Sequence, residues 1–362
     1  MSERFDIIIA GAGMAGASLA AGLTATGAKV LLLEAEDRPG YHSTGRSAAF
    51  WTESYGGPAV QPLTTASGPA LRDGGYLSER GALTIARSGE EAQLERFAAE
   101  FEALGVRVER LGRDALLQRI PGLHEDWTAG ALEPDCSDID VARLHQDYLA
   151  AARQGSADLW TRARLTRAER ESAGWLVTCE DGRQARGGLL VNAAGAWADE
   201  VAERAGISKL GFTPMLRTIA QIRTAPPPPE DLPLVLDLGE KFYFKPEAGR
   251  LWLSPHDEVP VAPCDVAAEE LAVAEAIDRL QKVVNWQVER VEHKWAGLRT
   301  FAPDRLPVYG FDSREDRFFW FAGQGGFGIQ TAPAAAALAT ALVTGSDHFP
   351  VDPAPYRPGR FS

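Results

Sequence analysis

The chain has 362 residues and 39.0 kDa, with 37 basic and 50 acidic side chains and a formal net charge of −13. That balance excludes a general nucleic-acid binder, which needs a basic face for phosphate, and the length suits about two domains at ~150 residues each. Cys136, Cys179 and Cys264 are far apart and form no CxxC pair, so the expectation is reduced, buried thiols, with neither a disulfide framework nor a metal site.

Residues 5–10 (FDIIIA) form a nearly continuous apolar run, the pattern of a strand covered on both faces. A helix of small residues follows, stopped at Gly27, and residues 29–34 (KVLLLE) make a second such strand. Strand, helix and strand within ~30 residues are a βαβ unit with a right-handed crossover, which opens a parallel sheet. Leu94, Phe97, Ala98, Phe101 and Leu104 recur at helical spacing and predict an amphipathic helix over 90–104. Asp140 caps another, with Val141, Leu144, Tyr148 and Leu149 on one face. Residues 175–179 and 188–192 read as strands, the second ending in Ala193, Ala194 and Gly195, small enough for close backbone approach. The proline run 226–229 predicts an exposed, extended loop. Residues 242–244 and 251–253 suggest a more antiparallel region, and 318–322 (FFWFA) returns to the buried-strand type. Parallel pieces thus stand at the start, middle and end of the chain, so one domain is assembled from three segments and the other is inserted between them. No basic leader precedes the first strand, and the longest apolar stretch, 334–343, is shorter than the ~20 residues that span a bilayer; the expectation is a cytoplasmic protein without a transmembrane segment.

Gly11, Gly13 and Gly16 follow the first strand directly and open the helix. The first glycine permits the turn, the second admits a pyrophosphate to the backbone, and the third packs helix on strand, while unpaired N–H groups at the helix start favour phosphate. Glu34 ends the second strand 23 positions after Gly11, where a carboxylate accepts from both ribose hydroxyls and repels a 2′-phosphate, so FAD or NAD is favoured over NADP. The run YHSTGRSAA at 41–49 suits a loop around a flavin's pyrophosphate and ring. The glycines of GQGGFG at 323–328 read as a second helix start, facing an anionic flavin edge. Two such starts suit a long cofactor with a reactive ring far from its adenosine. No HExxH, GxxxxGK[ST] or GxSxG motif is present, and no metal is expected.

These segments, with LVNAAGAW at 190–197, FYFKP at 242–246, WAGLR at 295–299 and GQGGFGIQT at 323–331, resemble the FAD-dependent amino-acid oxidoreductases of the D-amino-acid oxidase and glycine oxidase superfamily. The resemblance covers almost the whole chain and is closest to the D-arginine dehydrogenases. It implies an α/β fold: a glutathione-reductase-type FAD-binding Rossmann domain of residues 1–75, 143–206 and 297–362, and an α+β substrate domain with an antiparallel sheet, of residues 76–142 and 207–296. It also implies hydride transfer from an amino acid's α-carbon to flavin N5, giving an imine that hydrolyses to a 2-oxo acid and ammonia. Its FAD contacts fall on Gly11, Gly13, Met14, Ala15, Gly16, Glu34, Ala35, His42, Ser43, Thr44, Arg46, Ser47, Ala48, Ala49, Ala194, Gly195, Trp197, Arg299, Gly325, Gly326, Phe327, Gly328, Ile329 and Gln330. Non-covalent FAD is expected, because no cysteine lies in the C-terminal flavin segment.

Carried onto matching positions, the carboxylate clamp falls on Arg217, Tyr243 and Arg299, with Tyr55 as a further catalytic contact and Phe50, Ala82, Gly326 and Gln330 bordering the substrate. Two guanidinium forks and a phenol hold a carboxylate in one plane and orient its Cα–H. Where the arginine-specific relatives have a glutamate for the substrate's guanidinium, this chain has Ala82; where they have a histidine near the amine, it has Phe50. Glu79, at an odd offset from Ala82 in a strand, points to the opposite face. The expected substrate is therefore an α-amino acid, D by analogy, with a neutral or hydrophobic side chain. His42 is the one histidine placed near the site, and proton removal falls to Tyr55, Tyr243, a water or solvent. N-alkyl amino acids, amines and 2-hydroxy acids remain alternative substrates, and a flavin-carrying electron-transfer subunit is an alternative of another class. The electron acceptor (oxygen, a quinone or a carrier) and the oligomeric state stay open.

Overall fold

In the computed structural model, which describes residues 3–361, the opening apolar run forms strand Glu3–Ala10. Helix Met14–Ala25 and strand Val30–Leu33 complete the βαβ unit, and Gly27 leaves the helix with φ +90°. Glu3–Ala10 pairs in parallel with Val30–Leu33 on one side and Gln184–Asn192 on the other. Ala157–Trp160 extends the parallel sheet beyond Val30–Leu33. Gln184–Asn192 divides its outer edge between two partners: residues 184–187 pair with the antiparallel strand Gly174–Cys179, and 190–192 with the parallel strand Phe318–Ala322. Leu165–Glu171 and Val308–Phe311 complete an eight-stranded sheet. Both faces are covered, which explains the unbroken apolar runs. Ile7 and Ile9 pack with residues of Met14–Ala25 and of helix Ala332–Thr344, while Ile8 and Ala10 pack with Val201 and Trp320 on the other side.

A second, ten-stranded sheet runs in the order Gln324–Gly325, Gln287–Phe301, Thr213–Ala225, Arg250–Ser254, Tyr243–Glu247, Leu234–Asp237, Ala82–Arg87, Trp127–Glu133 and Glu109–Gly112, with Val259–Pro260 added to Thr213–Ala225. All these pairings are antiparallel except that of Leu234–Asp237 with Ala82–Arg87. Its two faces follow the two-residue period of strands. Leu83, Ile85, Ala220, Ile222, Val235, Phe244, Leu251 and Leu253 pack against helix Glu270–Gln281 in one core. Ala82, Ile219, Leu234 and Tyr243 lie in a different cluster, with Phe50. Strand Gln287–Phe301 runs without a break through residues 296 and 297. Phe50–Trp51, Leu77–Glu79 and Ser137–Ile139 form a separate three-stranded sheet.

Helices Glu91–Ala103 and Val141–Gln154 form where the periodicity places them, the second capped by Asp140, whose carboxylate accepts from Arg143 N–H at 3.0 Å. Three local expectations are corrected. The second glycine cluster starts no helix: Gln324 and Gly325 pair with Phe301 and Thr300, turns occupy 326–331, and the helix begins at Ala332. Positive φ at Gly323 (+74°) and Gly325 (+53°) shapes the chain for that sheet edge. Glu79 and Ala82 are not neighbours on one strand: two non-strand residues, among them Gly81 with φ +74°, separate them, and they lie in different sheets. Cys136 and Cys179 are buried, but Cys264 is exposed; all three are free thiols. No helix among the described residues is long and apolar enough to cross a membrane.

Phe319 is fully buried in the cluster that joins the parallel sheet to helix Ala332–Thr344. Phe319→Ala should lower the unfolding free energy by about 3–5 kcal/mol, read as a shifted urea midpoint; an unchanged midpoint would show that this strand does not hold the sheet.

Candidate active site

A cleft opens at the carboxyl ends of the parallel strands, the usual ligand position of such sheets. Gly11, Gly13, Met14, Ala15, Glu34, Ala35, His42, Ser43, Thr44 and Ser47 line it from the first half of the chain. Ala194, Gly195, Trp197, Arg299, Gly325, Gly326, Gly328 and Ile329 line it from the second. Arg164, Leu165, Val201 and Arg204 also border it and carried no sequence motif. Gly11 has φ +103°, and a Cβ there would lie 2.4 Å from the Ala193 carbonyl oxygen, so the small run 193–195 makes room for the glycine turn itself. His145 Nε2 lies 2.9 Å from the Ala12 carbonyl and braces the same turn; burial lowers its pKa, so the neutral ring donates. The Glu34 carboxylate accepts from Ala12 N–H at 3.2 Å and Glu36 N–H at 3.0 Å. Burial raises its pKa, and these two bonds oppose the rise. His42 stands 3.0 Å from a Glu36 oxygen, its ring 4.6 Å from that of Trp197.

Gly16, Arg46 and Phe327 do not line the cleft. A Cβ on Gly16 would lie 1.8 Å from Gly11 O, so its role is helix packing. The Arg46 guanidinium is engaged by Asp265 and the carbonyls of Val266 and Ala296, partners some 220 or more residues away that no local pattern announces. Phe327 packs with Val60, Phe301 and Tyr55.

A smaller cavity adjoins the cleft through Ser47, Arg299, Gly326 and Ile329, and is completed by Ala48, Ala49, Phe50, Tyr55, Tyr243 and Gln330. Strand register assembles it. Met215 pairs with Arg299 and Arg217 with Gly297, so both guanidinium groups leave the same face of the sheet. The two arginines differ in their partners. Arg217, 2% exposed, donates to Glu258 Oε1 at 2.9 Å, to Asp257 O at 2.9 Å and to Tyr55 Oη at 3.3 Å. Among the described residues Arg299, 6% exposed, donates only to the carbonyls of Leu298 at 3.4 Å and Arg46 at 3.5 Å, and burial lowers its pKa. No acidic side chain pairs with it among the described residues.

An aromatic wall faces these cations. The Phe50 ring centre lies 5.2 Å from that of Tyr55 and 6.0 Å from that of Tyr243. His256 completes the wall, 6.2 Å from Tyr55 and 5.8 Å from Tyr243, so His42 is not the one histidine near the site. It sits just past strand Arg250–Ser254, the hydrogen-bonded neighbour of the Tyr243 strand, which is the only sequence signal it offered. Its Nδ1 is 2.6 Å from Glu240 O, and burial with Arg217 nearby pushes its pKa down to about 3, leaving it neutral. A Cβ on Gly326 would lie 2.7 Å from Tyr55 Oη, so only glycine admits the phenol there. Gln330 donates to Tyr55 O and Thr64 Oγ1, both at 3.0 Å, so its amide braces the Tyr55 segment. Ala82 packs in the Phe50 and Tyr243 cluster without lining the cavity.

The profile of the FAD dependent oxidoreductases (DAO) matches residues 6–342. The chain belongs to this family. It is 26% identical over 420 residues to hydrogen cyanide synthase subunit HcnC of Pseudomonas aeruginosa, across 100% of this chain and 97% of that protein. Glycine oxidase from Geobacillus kaustophilus has the same fold, with a TM-score of 0.86 at 23% identity over 98% of each chain. L-proline dehydrogenase from P. horikoshii gives a TM-score of 0.86 at 21% identity over 100% of this chain and 98% of that one. The protein is an FAD-dependent oxidoreductase related to glycine oxidase and the amino-acid oxidases.

The cleft of this DAO-family enzyme fits FAD on its own chemistry. Helix Met14–Ala25 has no side-chain cap, so its first N–H groups beyond Met14, which donates to Thr44 Oγ1, stay available to phosphate. Gly11 admits no side chain, and the Glu34 carboxylate borders the cleft as a ribose acceptor. Gly11→Ala forces a methyl against Ala193 in strained backbone and should lower the flavin content of the purified protein about tenfold, measured from the visible-to-ultraviolet absorbance ratio. Full flavin content would overturn this account of the turn.

Proposed function

We propose that this flavoenzyme oxidises an α-amino acid, of D configuration and with a neutral or hydrophobic side chain, to an imine that hydrolyses to a 2-oxo acid and ammonia. The observation that carries this reading is Arg299, a buried guanidinium at a cavity wall that pairs with no acidic side chain among the described residues. A buried cation lacking a counter-charge is costly, and a substrate carboxylate supplies the charge and matches the guanidinium fork. Tyr243 lines the same cavity, and Arg217 leaves the same sheet face and donates to Tyr55 Oη; on this reading both serve the same carboxylate. Phe50, Tyr55 and Tyr243 offer apolar ring surface to the side chain, and Ala82 contributes no acid to attract a cationic one. A bound flavin would supply the acceptor for a hydride from the substrate's α-carbon. The chain's own residues hold the carboxylate, orient the Cα–H toward the cleft and exclude water, while Tyr55 Oη and the Gly326 carbonyl are acceptors for the amine.

On this reading residues 1–75, 143–206 and 297–362 serve the cofactor and residues 76–142 and 207–296 the substrate. The three free thiols agree with a reducing, cytoplasmic setting. A second reading, a flavin subunit that passes electrons within a larger enzyme, is favoured by the full-length match to a protein named as a synthase subunit. Turnover of the isolated chain with an artificial dye separates the two: flavin bleaching by an amino acid without turnover supports the subunit.

Two outcomes test the main reading. Arg299→Met removes two charge-assisted bonds of about 1.5–3 kcal/mol each, so kcat/KM for an α-amino acid should fall at least ~100-fold while a carboxylate-free amine loses little. Equal losses would remove the clamp from the mechanism. In anaerobic flavin reduction with a panel of D- and L-amino acids, neutral D-amino acids should react fastest; fastest reaction with D-arginine or D-lysine would reject the side-chain assignment.

A further inference from the structure

Glu133 belongs to neither the clamp nor the cofactor cleft, yet its carboxylate is buried, 4% exposed, at the end of strand Trp127–Glu133. It pairs in register with Ala82 on the sheet that carries Arg217 and Arg299. No lysine, arginine or histidine pairs with it among the described residues, and burial raises its pKa against the bonds it accepts. Those bonds all come from one short segment. Oε1 accepts from Thr52 Oγ1 at 2.7 Å and from Glu53 N–H at 2.5 Å, and Oε2 accepts from Ser54 N–H at 3.3 Å.

Residues 52–55 pair with no strand and follow directly after Phe50–Trp51. Tyr55 ends the segment, with its Oη 3.3 Å from Arg217 Nη1. Gln330 also holds this segment, accepting from Thr52 N–H at 3.4 Å and donating to Tyr55 O at 3.0 Å. The backbone that presents the Tyr55 phenol is thus held by a carboxylate from the antiparallel sheet and an amide from the glycine-rich turns. Three donors converge on Glu133, and an ionised carboxylate accepts from all of them while presenting no donor of its own; a glutamine in its place offers one oxygen and turns an NH₂ group toward a donor.

We propose that Glu133 is a positioning residue for Tyr55, holding the phenol against Arg217 so that the substrate's carboxylate and amine meet fixed partners. This rests on the substrate role assigned to Tyr55 above.

The test is a double-mutant cycle on the holoenzyme, with Glu133→Gln, Tyr55→Phe and the pair, read as kcat/KM in anaerobic flavin reduction by the best amino-acid substrate. Each single variant should lose about tenfold, and Glu133→Gln should cost less than about twofold in the Tyr55→Phe background, with flavin content unchanged. Losses that multiply, or a fully active Glu133→Gln, overturn the proposal. An unaffected Tyr55→Phe beside a damaged Glu133→Gln overturns it together with the assigned role of Tyr55. A crystal structure of the flavin-loaded Glu133→Gln protein reads the same point without substrate: displacement of Tyr55 from Arg217 supports the proposal, and an unmoved phenol rejects it even if no amino acid bleaches the wild-type flavin, a result that would sink only the proposed function. Should Glu133→Gln fail to fold, Thr52→Val removes one of the three donors and should show the same coupling to Tyr55 at about threefold; no coupling rejects the idea.

Discussion

The site depends on one strand pairing. Thr213–Ala225 and Gln287–Phe301 run antiparallel with Met215 opposite Arg299 and Arg217 opposite Gly297. That register places two guanidinium groups on the face that also presents Tyr243, and sends Ala220 and Ile222 into the core beneath. A slip by one residue would exchange the faces, burying charge in the apolar core and removing it from the cavity. Gly297 protects the arrangement locally, since a Cβ there would stand 3.0 Å from Arg299 Nη1 and 3.2 Å from Arg46 Cβ. The same strand continues to Thr300 and Phe301, whose outer edge takes Gln324 and Gly325. The pairing that builds the cationic face therefore also draws the glycine-rich segment, and Gly326 with it, up to the cavity. The antiparallel sheet and the cofactor cleft are joined at this edge by backbone hydrogen bonds, so their spacing is set by main-chain geometry.

Arg217 and Arg299 are both buried and repel each other, and the structure resolves the repulsion unequally. Glu258 bonds Arg217 and also Arg305 at 2.8 Å, so Arg217 carries its counter-charge at rest. Arg299 pairs with no acidic side chain among the described residues, and the neutral His256 adds no further positive charge. The unmet charge is thus concentrated on a side chain that borders both the cleft and the smaller cavity. The acidic surface implied by a net charge of −13 does not weaken this local attraction, because exposed charges more than a Debye length away are screened while a buried one is not.

Much of the scaffold was legible because its signals are local. Continuous apolar runs marked the strands buried on both faces, the glycine triplet and Glu34 marked the first turn, and Asp140 marked a helix start. What escaped depends on partners distant in the chain. GQGGFG looks like a helix entry until residues 300 and 301 are there to pair with it. Glu79 and Ala82 read as one strand, yet they lie in different sheets. Arg46 sits in a motif otherwise fitted to a cofactor, yet Asp265 engages it across 219 positions. His256 and Glu133 lie in no motif, and their surroundings arise only when loops and sheets pack.

The division between clamp and wall has a consequence for specificity. Arg217, Tyr243 and Arg299 all project from strands whose register is fixed by an apolar core on the other face, so altering them disturbs the sheet. Phe50 and Tyr55 stand in a two-residue strand and the turn after it, and His256 in a loop; changes there disturb few main-chain bonds. On the proposed reading, the strands that hold the carboxylate can stay fixed while the surface that meets the rest of the substrate varies, so family membership alone does not fix the substrate. In this chain that surface is aromatic and uncharged, and the buried acid Glu133 does not line the cavity; the bonds it accepts come from Thr52, Glu53 and Ser54.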